Sequence, residues 1–235
     1  MAEVRRRAIP CIIGNHDMTP SSHKEKIQAL CRRWAAGAAA ISERSDRIGF
    51  FRDELPALLC EPALLEGLCR GIPKGEPFPG LRQGTLFANE LVLYRDPGRL
   101  FSLRLYIFGP GEHTALHDHT SWGVSGSAYG RLEVVRYRRQ DDGADPERAQ
   151  LAVVEARVLQ PGEIETTLPL DEGIHRTGSP DDGVTLMVSV YGTPLRRLFI
   201  QRFNLETGRV QRIFSPRVQK RMLAEQALKA MKLGR

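Results

Sequence analysis

Beyond residue 82 the chain becomes a series of short apolar runs, and this punctuation limits the fold more than any other feature. The runs are ELVLYRD, RLFSLRLYIFG, HTALHDHT, GRLEVVRYRR, LAVVEARVL, GEIETTL, GIHRT, VTLMVSVYG and RLFIQRF. Turn signals separate several of them, among them Asp96-Pro97-Gly98, Gly109-Pro110-Gly111, Asp141-Asp142-Gly143, Pro161-Gly162 and Asp182-Gly183. Many short strands at regular spacing predict an all-β sandwich or barrel.

The flanks read differently. Residues 22–43 predict a helix, with Ser22 as N-cap, Glu25 three residues on, and Ile27, Leu30, Cys31, Trp34 and Ala38 at helical spacing. A second helical region covers 46–70, with Pro56 and Pro62 expected to divide it. GIPKGEPFPG, residues 71–80, reads as a linker. The end, RVQKRMLAEQALKAMKL, predicts a helix with Met222, Leu223, Leu228 and Met231 as apolar positions. The expected organisation is a helical region at 1–80, a barrel at 81–205 and a basic extension at 206–235.

Composition excludes several classes. At 235 residues, 41% hydrophobic and 26% charged, the chain suits one or two globular domains without staples. No stretch approaches the roughly 20 apolar residues of a membrane span, and the N-terminus lacks the run of about 7–15 apolar residues of a signal peptide. A cytoplasmic protein with no membrane partner is expected. Cys11, Cys31, Cys60 and Cys69 form no CxxC pair, which argues against a disulfide scaffold or a cysteine zinc site. The net charge of +6 is local: residues 196–235 hold 11 Lys+Arg and 2 Asp+Glu, and the rest holds 23 and 26. No stacking platform or DNA-reading motif accompanies this charge, so it predicts a solvated or subunit-contacting face rather than nucleic-acid binding. Homo-oligomerisation stays open.

Four of the six histidines fall between 113 and 175: His113, His117, His119 and His175. Residues two apart on a strand share a face, so His117 and His119 project together. A third imidazole from another strand completes a facial metal site with open positions, which suits catalysis better than structure. Asp118 points away by parity, and His113 is expected at the rim or behind the ligands.

The surrounding residues carry a resemblance. Gly111, His117-x-His119, Gly123 and Gly130 resemble the first cupin motif, with Gly123 where many cupins have glutamate. Gly162, Pro169, Gly173 and His175 resemble the second, with one extra residue after Gly162 and Ser179 at the usual asparagine position. The run from Glu90 to Gly130, with His-Asp-His before Trp-Gly-Val, resembles the bacterial thiol dioxygenases related to cysteine dioxygenase and 3-mercaptopropionate dioxygenase. MVSVYG, ending at Gly192, resembles the strand that bears that family's active-site tyrosine. The resemblance covers about residues 45–210.

It implies a mainly β fold: a cupin (RmlC-like jelly-roll) β-barrel with N-terminal helices and a C-terminal helix. It implies Fe(2+) on His117, His119 and His175, O2 as co-substrate and a small thiol as substrate. Tyr191 becomes the functional hydroxyl, and Met187 and Ser189 share its wall by parity. Trp122 shapes the pocket. The sequence departs from the family in three ways. Met187-x-Ser189-x-Tyr191 lacks the usual relay histidine. No cysteine follows Cys69, so no Cys–Tyr cross-link is expected. Glu90 stands near the usual arginine or glutamine substrate clamp, leaving Arg104 as the candidate carboxylate holder. A neutral three-histidine set leaves the ion's +2 charge intact and favours an anionic thiolate ligand. It also suits zinc in a hydrolase or isomerase, and a non-catalytic ligand-sensing cupin is a further alternative.

Overall fold

The computed structural model describes residues 20–72 and 86–233, so Cys11 and most of the expected linker lie outside the described residues. Three helices come first: α1 (Pro20–Ala39), α2 (Arg44–Leu59) and α3 (Pro62–Gly71). Helix α1 starts before Ser22, which therefore lies within its first turn and is not the N-cap. Pro56 does not divide α2. It lies near the C-terminal end, and its carbonyl still accepts from the Cys60 N–H at 3.1 Å. Pro62 opens α3, where a missing N–H is harmless.

Ten strands follow: β1 (Glu90–Arg95), β2 (Phe101–Phe108), β3 (Gly123–Tyr129), β4 (Leu132–Arg139), β5 (Leu151–Leu159), β6 (Ile164–Thr167), β7 (His175–Gly178), β8 (Thr185–Gly192), β9 (Phe199–Phe203) and β10 (Val210–Phe214). Helix α4 (Pro216–Leu233) closes the chain. Strands β3 and β10 are absent from the sequence expectation. The GVSGSAY of β3 has little β-propensity, but Gly126 answers a packing need. A Cβ there would lie 2.5 Å from the Leu59 side chain and 2.6 Å from the Glu163 carbonyl. A small residue lets α2 press onto the sheet.

HTALHDHT is not a ladder strand, contrary to expectation. It runs extended between β7 and β9, held by isolated bridges. Thr114 N–H donates to Thr177 O at 2.8 Å, Asp118 N–H to Gln201 O at 3.0 Å, and Phe203 N–H to Leu116 O at 2.9 Å. The sheets are β1-β2-β8-β3-β6, β5-β4-β7 and β10-β9, all paired antiparallel. The 112–118 segment stitches the two smaller sheets into one layer, giving a two-layered jelly roll.

Alternation along β2 and β8 divides the core. Phe101, Leu103, Leu105, Val188 and Val190 pack with the three helices. Tyr106, Phe108, Met187 and Tyr191 turn the other way and meet Leu132, Val134 and Leu159 between the layers. On α4, Leu223, Leu228 and Met231 are exposed. Among the described residues no helix is long and apolar enough to cross a membrane.

Phe51 joins helices to sheet, with ring centroids 5.7 Å from Trp34, 4.9 Å from Phe101 and 5.7 Å from Trp122. Phe51→Ala is expected to lower unfolding free energy by about 3–5 kcal/mol in urea titration. Val153→Ala, at an exposed β5 position, should change it by less than about 0.5 kcal/mol.

Candidate metal centre

His117 and His119 lie on the stitching segment, and His175 opens β7. Two reciprocal backbone bonds fix them: His117 N–H to His175 O at 3.1 Å and His175 N–H to His117 O at 3.0 Å. The three rings converge, with centroids 4.7 Å (His117–His119), 5.0 Å (His117–His175) and 4.7 Å (His119–His175) apart. One nitrogen from each lies within 4.8 Å of the others. His119 Nε2 and His175 Nε2 are 2.8 Å apart. His117 Nδ1 donates to the Ala115 carbonyl at 2.7 Å, which leaves its Nε2 as the lone pair.

All three histidines are buried. Burial holds the His117 imidazole down at about 4 and holds His119 and His175 well below the ordinary value, with the neighbouring imidazoles adding to the effect. Neutral rings at neutral pH are what metal ligation requires. Three convergent neutral nitrogens form a donor set that fits ferrous iron or zinc.

The glycine at 123 has a structural counterpart. Gly123 pairs with Tyr191 across β3 and β8, and a Cβ at 123 would lie 2.8 Å from the Tyr191 ring. The tyrosine ring thus occupies space that a side chain at 123 would need. Tyr191 stacks on His119 at 5.7 Å and 21°. The Arg104 guanidinium sits 5.0 Å from the Tyr191 ring centroid.

A cavity of about 540 Å³ opens against His117 and His119, and Tyr191, Arg104, Tyr106 and Phe87 line its wall. Arg104 turns inward, as the sequence suggests, but it is ion-paired with Glu90, and its Nε donates to Ser102 Oγ at 3.2 Å. The Glu90 side chain is buried.

Three expected pocket residues sit elsewhere. Trp122 packs on the helix side against Phe51, the face that alternation from the inward His117 and His119 gives to even positions such as Asp118 and Val124. Met187 points inward but lies four residues along β8 from Tyr191, among Phe108, Leu132 and Leu159. Ser189 is fully buried and does not line the cavity. His113 stands off the triad, bonded to Glu133 Oε2 and Gly111 O, each at 2.9 Å. Asp118 turns away from the rings but is buried. It accepts from Arg197 Nη2 at 2.7 Å and from Gln201 N–H at 2.6 Å.

Sequence reasoning missed Tyr106. It is buried beside Tyr191, and the two phenols interact electrostatically. Its signal was available: on β2 it shares inward parity with Arg104. Burial pushes both phenols up, so both are neutral hydrogen-bonding groups at neutral pH. Glu165 was also missed. Its carboxylate lies 3.6 Å from His175 Nδ1 and is paired with Arg136 at 3.1 Å.

No protein-family model matches the chain. Solved structures similar to it include a cupin 2 domain-containing protein from Halorhodospira halophila (17% identity, TM-score 0.38, 51% of this chain and 72% of that one). A cupin 2 barrel protein from Salinispora arenicola follows (21%, 0.34, 46% and 80%). The cupin-2 domain Rru_A2000 from Rhodospirillum rubrum matches at 18% and 0.35 over 46% of this chain, which spans 61% of that structure. The Lactobacillus farciminis oxalate decarboxylase formate complex matches at 16% and 0.35 over 48% of this chain and 31% of that one. The layer order is that of a two-layered jelly roll with three converging histidines; likenesses this distant say nothing of family, reaction or substrate.

Two outcomes follow. His119→Ala should remove most of the bound metal that wild-type protein retains, measured by elemental analysis after desalting. The metal-free protein should lose stability as pH falls from about 6.5 toward 4. In that window the unfolded histidines take up protons that the folded ones refuse. His117 alone accounts for about 2 kcal/mol of the difference between pH 7.5 and pH 5, read from thermal melts at the two values.

Proposed function

We propose that the chain is a non-haem iron thiol dioxygenase that converts a small thiol to its sulfinate. The observation carrying this reading is the neutral three-histidine set, of which His117 and His119 line a cavity whose wall presents Tyr191, Tyr106 and Arg104. His117, His119 and His175 would hold the ion. Iron held there supplies a place where a thiolate and O2 meet, both oxygen atoms passing to sulfur: RS⁻ + O2 → RSO2⁻.

The chain's own residues supply position and polarity. Tyr191, held against His119, directs a neutral hydroxyl toward developing negative charge, and Tyr106 orients that hydroxyl in place of the missing relay histidine. Arg104 spends one N–H on Ser102 and meets Glu90 through Nη1. Its guanidinium has further N–H donors for a substrate carboxylate. Glu90 balances its charge, so the wall orients an anionic group without a strong net field. Phe87, 4.9 Å from the His117 ring, helps exclude water. The substrate is a small cytoplasmic thiol, with no nucleic-acid or membrane partner.

Iron-loaded protein should consume O2 with at least one of cysteine, 3-mercaptopropionate, cysteamine and mercaptosuccinate, giving one sulfinate per O2. Zinc as the sole retained metal, with no O2 uptake for any thiol, contradicts the reading. Tyr191→Phe should lower kcat about 10–100-fold without loss of iron. Arg104→Met should raise KM for the carboxylate thiols more than for cysteamine, as steady-state kinetics will show.

A further inference from the structure

Two buried polar atoms next to the triad lack hydrogen-bond partners: His175 Nδ1 and Glu165 Oε1. They face one another at 3.6 Å, beyond a true hydrogen bond. A buried polar group left unmatched is unfavourable, so each has reason to close on the other. The carboxylate is anchored from behind. Arg136 Nη2 donates to Glu165 Oε2 at 3.1 Å and to the Thr166 carbonyl at 2.7 Å, and Nη1 lies 3.5 Å from Glu155. Arg136 is also the register partner of His175 across β4 and β7. One arginine therefore ties Glu165 to the strand pair that carries the ligand.

The ring spacing supplies the movement. His175 Nε2 and His119 Nε2 stand 2.8 Å apart. Two imidazoles bound tetrahedrally to one ion, with bonds of about 2.1 Å, hold their nitrogens about 3.4 Å apart. An ion seated there would require the two Nε2 atoms to separate, and a retreat of His175 would bring Nδ1 within hydrogen-bond distance of Glu165 Oε1. We propose that Glu165 is a positioning residue for the metal site: its carboxylate accepts the His175 Nδ1–H bond, fixes Nε2 as the ligand atom and stiffens the ring. Carboxylate–histidine–metal relays of this kind raise ligand basicity and metal affinity. Sequence patterns give no hint of it, since Glu165 lies ten residues from His175 on another strand.

The inference rests on the three-histidine metal reading and is independent of which thiol is oxidised. Zinc is the probe, titrated into the full-length metal-free protein. Long-range ¹H–¹⁵N correlations on the zinc-loaded wild type should place the His175 proton on Nδ1. Glu165→Leu should weaken zinc binding about 10–100-fold, and Glu165→Gln, whose amide oxygen still accepts, should recover part of that loss. A His175 proton on Nε2, or wild-type zinc affinity in folded Glu165→Leu, overturns the proposal. If Glu165→Leu does not fold, the wild-type tautomer decides alone. Failure of wild-type protein to bind zinc instead removes the metal reading, and this inference with it.

Discussion

The reciprocal backbone pair between His117 and His175 is the constraint on which the rest depends. Its two bonds, 3.1 and 3.0 Å long, join a segment that forms no regular strand to the start of β7. Other backbone bonds lengthen the seam between the smaller sheets, but this pair is the one that sets two imidazoles side by side. With it, two ligands are set by backbone geometry and the third follows by alternation from His117. Burial then does the electrostatic work: the rings that close the seam are the rings kept neutral.

Around that seam the barrel assigns different tasks to its two faces. The helix side is hydrocarbon, centred on Phe51, Trp34 and Trp122. The inner side grades from apolar at Phe108, Leu132 and Leu159 to polar at Tyr106, Arg104 and Tyr191. The change falls within β2 and β8, so the strands that seal the core also furnish the cavity wall. Gly123 is where the two demands meet, because its missing side chain makes room for the Tyr191 ring.

Much of this was legible in the sequence where the signal was periodic. Eight of the nine expected strand runs became strands, and the parity argument put Met187 and Tyr191 on one face of β8, where both join the inner cluster. Trp122 was assigned to the pocket by its nearness to the histidines, but its parity is that of Asp118, and alternation turns it to the helix side. Strand β3 was missed because Gly126 serves helix packing and Gly123 makes room for the Tyr191 ring, which propensity does not record. Parity also says nothing of depth, so it could not tell that Met187 and Ser189 lie off the cavity. Tyr106 and Glu165 act through partners distant in sequence, on β8 and β7, and such pairs become visible only when the strands are placed.

The charge pattern reads differently once the structure is known. Arg104 looked like a lone clamp, but its buried partner is Glu90, the residue that stands near the usual clamp position. Arg104 stands at the cavity wall on β2, and the Glu90 carboxylate on β1 balances its charge.

The most direct measurement is X-ray absorption on iron-loaded protein before and after adding thiol. The account predicts three imidazole nitrogens in the iron shell and a new sulfur scatterer at bonding distance when thiol is present. Fewer than three imidazoles, or a shell that gains no sulfur with any thiol of the panel, would contradict it.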